Sequence, residues 1–115
     1  MDAEAEVEDA ERALLLSQDE LEAALKQSGL RETALSRQRD LQVRGVGTKA
    51  AVEAAELALS SAEQSVLNRR SAVDNAKARG ASAGTRLIRS ELALDDASRR
   101  LEDTKLFSKF DGVLS

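Results

Sequence analysis

From Thr48 onward, apolar or small residues recur every seventh position: Val52, Leu59, Val66, Val73, Gly80, Leu87, Leu94 and Leu101. The positions three residues further on are Ala55, Ala62, Arg69, Ala76, Ala83, Ser90, Ala97 and Thr104. One row is mostly large and the other small, with Arg69 the misfit. A strict seven-residue repeat of this kind describes a coiled-coil seam, and it predicts a long helix with left-handed supercoiling against a partner. Upstream, Val7, Ala10, Leu14, Leu21, Ala24, Leu25, Ser28, Leu35 and Leu41 form a less regular stripe in a segment rich in Glu, Ala, Leu and Arg. That spacing predicts a second helix.

Between the stripes lies Val43-Arg44-Gly45-Val46-Gly47-Thr48. Two glycines give the backbone freedom to reverse direction, and Thr48 is a good cap for the next helix. The chain therefore reads as an all-α, antiparallel two-helix coiled-coil hairpin over residues 1–105, with its tip at about 44–48. Folding at that tip sets Val7 against Leu87, Leu14 against Gly80, Leu21 against Val73, Ser28 against Val66 and Leu35 against Leu59. The second helix runs about 87 Å and the first about 64 Å at 1.5 Å per residue, so residues 92–105 lack a partner within the hairpin, and one is expected to precede it in sequence. Gly29, Gly80 and Gly84 loosen the helices locally without breaking them.

Residues 106–115 change character. Both aromatics, Phe107 and Phe110, sit beside Asp111-Gly112, and the segment reads as a strand, a turn and the start of another strand. A hairpin of this length has nothing to pack against alone, so it is expected to be the edge of a further, incomplete domain.

Composition narrows the chemistry. Aromatics make up 2% of the chain, charged residues 33%, and there is no Pro, His or Cys. A thick globular core is not expected from Ala and Leu alone. The commonest general base, thiol nucleophiles and thiolate metal sites are absent, and a two-helix hairpin offers no shielded concavity in which carboxylates become catalytic. No phosphate loop or metal-ligand cluster is present, so neither an enzyme nor a cofactor is expected. No stretch approaches a membrane span, and the acidic start lacks the features of a signal peptide.

The net charge of −4 hides an asymmetry: residues 1–30 carry nine acidic against two basic side chains, and residues 31–49 five basic against two acidic. The basic island has no aromatic to stack on bases, which argues against nucleic acid. The acidic run from Asp2 to Glu11 reads as a solvated face at a helix N-terminus rather than a cation site.

The sequence from Leu101 to Leu106, followed by Phe110-Asp111-Gly112-Val113, resembles the junction of the periplasmic adaptor proteins, or membrane fusion proteins, of tripartite efflux pumps and type I secretion systems. The family phrase is approximately L-x-x-T-x-I-x-A-P-F-D-G-V-V, and this chain has Ser108 and Lys109 where Ala-Pro is usual. The resemblance implies that residues 106–115 begin the second half of a lipoyl-like β domain whose first half precedes the hairpin. A second likeness lies at the tip. In adaptors that engage a TolC-type channel, an Arg is followed by a Leu four residues on and a Ser seven after that; Arg37, Leu41 and Thr48 have this spacing, with Thr for Ser.

The resemblance implies a protein of the Gram-negative periplasm, attached at the inner membrane when complete. It would join an inner-membrane transporter of the RND or ABC class to an outer-membrane channel and assemble into a ring, with no membrane insertion by this segment. Each tip residue also has a plainer reading: Arg37 as a solvated helix residue, Leu41 as part of the seam, Thr48 as a helix cap. The alternative for the whole chain is a structural coiled-coil rod or tether. A plain rod has no use for residues 106–114, and its heptads need not mirror across a glycine tip.

Overall fold

The computed structural model describes the backbone of residues 2–114 and the side chains of residues 2–107. It contains two helices, α1 at Ala3–Val43 and α2 at Lys49–Leu114, packed on each other along a body 106 × 18 × 13 Å in extent. At 1.5 Å per residue they span about 62 and 99 Å. This is the all-α hairpin, with the reversal at residues 44–48.

The heptad seam is the core. Val52, Val66 and Val73 from the large row and Ala62, Ala76 and Ala83 from the small row are all buried, and Leu59, Gly80 and Leu87 are half-buried. From α1, Leu35 is buried, and Val7, Leu14, Leu21 and Ser28 are half-buried along the matching stripe. Leu25 stands on the flank instead, 44% exposed. Cross-helix ion pairs join Glu56 to Arg39, Glu20 to Arg69 and Glu6 to Arg86. These pairs lie within about one and a half helical turns of the pairing expected from the tip. Among the described residues no side chain is sealed from solvent as in a globular core, because two helices enclose only a seam.

Arg69, the seam misfit, leaves its Cα on the small row and carries its guanidinium out to Glu20 at 2.7 Å. The apolar stem lies along the seam while the charge stays wet. One buried seam position was not foreseen: Ser17, 8% exposed, donates to the Leu14 carbonyl at 2.8 Å. It falls seven residues after Ala10 and seven before Ala24, so the small row of α1 runs through it.

Two expectations concern the far end. Every described side chain from Ile88 to Phe107 is exposed, including Leu92, Leu94 and Leu101, so α2 does overrun α1 there. The strand, turn and strand expected at 106–115 are not found: the backbone is helical through Leu114, and no strand occurs among the described residues. An isolated strand pair leaves its backbone groups unmatched, whereas a continuing helix bonds each amide within the segment itself. Ser115 and the side chains from Ser108 onward lie outside the described residues.

Candidate functional site

The tip is built by local chemistry that the sequence dictates. At the end of α1, Gly45 adopts φ +81°, its amide donates to the Gln42 carbonyl at 3.0 Å, and the Val46 amide donates to the Leu41 carbonyl at 3.1 Å. This is a Schellman closure, which requires a left-handed residue one position past the helix cap; glycine takes it without penalty. The Gly47 amide then bonds the same Leu41 carbonyl at 2.9 Å. A Cβ on Gly47 would meet the Gln42 backbone nitrogen at 2.6 Å, so the connection lies flat on the last turn of α1. Thr48 Oγ1 accepts from the Ala51 amide at 3.1 Å and starts α2.

Within this frame the three candidate residues occupy different settings. Arg37 is exposed, on a face of α1 shared with Gly29, Thr33, Ser36, Asp40 and Val43. Leu41 is half-buried one turn later, and its carbonyl holds the connection down. Thr48 is exposed at the base of α2. Arg37 and Leu41 are neighbours on one helix surface. Thr48 sits across the reversal, with its hydroxyl engaged in the cap rather than with either of them.

The basic residues around the tip differ in their partners. Arg39 reaches Glu56 at 3.3 Å across the hairpin, and Arg44 reaches Asp40 at 3.1 Å one turn back. Among the described residues, Arg37 and Arg31 have no carboxylate within ion-pair distance. Arg37, the nearer to the reversal, presents an unneutralised guanidinium with several donors to solvent. Two residues missed from the sequence lie closer to the reversal. Val43 and Val46 are 86% and 74% exposed, giving the tip apolar area where a solvated loop has no need of it. Their signal was visible as two valines bracketing Gly45 outside either heptad row.

At the other end of α1, part of the acidic run is engaged: Asp2 caps α1 through the Glu4 amide, Asp9 pairs with Arg12, and Glu6 pairs with Arg86. No described helix is long and apolar enough to cross a membrane. Comparison with protein-family models finds no match, and comparison with curated proteins and with solved structures finds none either.

Proposed function

We propose that this chain is the α-helical hairpin of a periplasmic adaptor whose tip docks on an outer-membrane channel of the TolC type. The observation that carries the reading is the state of Arg37: exposed, without a partner carboxylate, one turn from Leu41 and beside the exposed Val43. Such an arginine donates to carbonyls or carboxylates on the end of a partner helix while the valines and Leu41 supply apolar contact. The Schellman closure and the Thr48 cap support this role by presenting these groups on a fixed reversal rather than a mobile loop.

In the complete protein the remaining elements follow the same reading. Residues 106–115 enter the second half of a lipoyl-like domain, where a neighbouring sheet supplies the partners that a lone strand lacks. An upstream segment covers the exposed seam of residues 88–107. The protein bridges an inner-membrane transporter to the channel, attached at the inner membrane and assembled as a ring.

The test is export by a complete adaptor carrying this hairpin, expressed with its transporter and channel in Gram-negative cells. Arg37→Asp abolishes export while leaving adaptor levels and membrane attachment unchanged, because a charge-assisted bond becomes a repulsion in a desolvated contact. Arg31→Asp, equally unpaired but almost two turns further from the reversal, has little effect. Full export by Arg37→Asp, or equal loss from both substitutions, refutes the assignment.

A further inference from the structure

We infer that α2 contains a hinge at residues 80–85, about which the overhanging C-terminal part of the helix pivots relative to the hairpin. The segment reads Gly80-Ala81-Ser82-Ala83-Gly84-Thr85, so five consecutive residues carry no side chain larger than serine's. Glycine in a helix is ordinarily kept where something approaches too closely for a Cβ. That reason is absent here: a Cβ added to Gly80 or Gly84 would meet no atom within 4 Å. Both glycines are half-buried on the seam side, and space for a methyl group is left empty. What the two residues do provide is backbone freedom in the middle of a 66-residue helix.

Three further observations fall at the same place. Across from it on α1, Glu6, Asp9, Ala10 and Ala13 line a hollow of about 290 Å³ with Arg79, Ala83 and Arg86. The space beside Ala83 on this flank is left unfilled. Thr85 Oγ1 donates back to the Ala81 carbonyl at 3.0 Å, a bond that competes with the helical ladder and commonly accompanies bends. Finally, Leu87 is the last half-buried residue of α2 among the described residues, and every described side chain from Ile88 to Phe107 is exposed. Covered helix thus passes to uncovered helix about one turn beyond Gly84.

The hinge lets the hairpin sweep through an arc while the far end of α2 stays fixed. It concerns the mechanics of α2 alone and stands or falls separately from the docking assignment. Because the chain has no cysteine, Asn68→Cys and Ser98→Cys place spin labels on exposed positions either side of the hinge, about 45 Å apart along a straight helix. Distance distributions from double electron–electron resonance are compared between this chain and its Gly80→Ala/Gly84→Ala form. The parent chain gives a broad distribution reaching well below the straight-helix value. The alanine form narrows it about twofold, since alanine removes the extra backbone states that glycine allows. Gly84→Ala alone gives an intermediate width. Gly29→Ala, an open glycine on α1, leaves it unchanged. Equal widths for the parent and the double variant, or equal narrowing by Gly29→Ala, overturns the hinge.

Discussion

Arg69 and Glu20 meet at 2.7 Å from opposite helices, at the one heptad position where the small row of α2 is interrupted by a charge. Both side chains remain close to half exposed. An ion pair in that setting contributes no more than about 1 kcal/mol, and restoring the small residue of the repeat offsets its loss. Arg69→Ala is therefore expected to change stability by less than about 1 kcal/mol in either direction, as read from urea denaturation followed by circular dichroism. Destabilisation beyond about 2 kcal/mol would mean that the pair fixes the register.

Leu35 and Leu30 separate seam from surface on the same helix. Leu35 is 5% exposed and Leu30 72%. Leu35→Ala should lower stability by about 2–4 kcal/mol through lost burial and the void left behind, whereas Leu30→Ala should cost less than about 0.5 kcal/mol. Thermal denaturation of the two variants side by side checks the assignment of faces.

The glycines of the tip act by different mechanisms and predict different responses. Gly45→Ala forces a side chain into the left-handed region, at about 1–2 kcal/mol. Gly47→Ala pushes a Cβ into the backbone of Gln42, so the connection itself has to shift. Thr48→Ala removes a cap worth about 1 kcal/mol. In hydrogen exchange, Gly47→Ala should expose the Val46 and Gly47 amides that bond Leu41, while Thr48→Ala should loosen only the first turn of α2.

The hairpin was legible in the sequence because its seam obeys one period: Val52, Ala62, Val66, Val73, Ala76 and Ala83 follow from spacing alone. The reversal was legible because Gly45 and Thr48 each have a local geometric reason to be there. Ser17 was not, since a serine satisfied by its own helix looks like a surface residue until the row through Ala10 and Ala24 is drawn. The pairing of Arg39 and Arg44, which leaves Arg37, like Arg31 and Lys49, without a carboxylate at ion-pair distance among the described residues, depends on where Glu56 and Asp40 fall in three dimensions. The strand pattern around Phe107 and Phe110 has no counterpart among the described residues, where the backbone continues α2 through Leu114.

The docking assignment is tested most directly by site-specific photo-cross-linking in cells expressing a complete adaptor that carries this hairpin, its transporter and its channel. A photoreactive side chain at position 41 of the tip is compared with one at position 57, where Leu57 is 73% exposed on α2 away from the reversal. The account predicts a cross-link to the periplasmic end of the channel from position 41 that disappears when Arg37 is changed to Asp. A position-41 cross-link that survives Arg37→Asp, or cross-linking to the channel from position 57 alone, would contradict it.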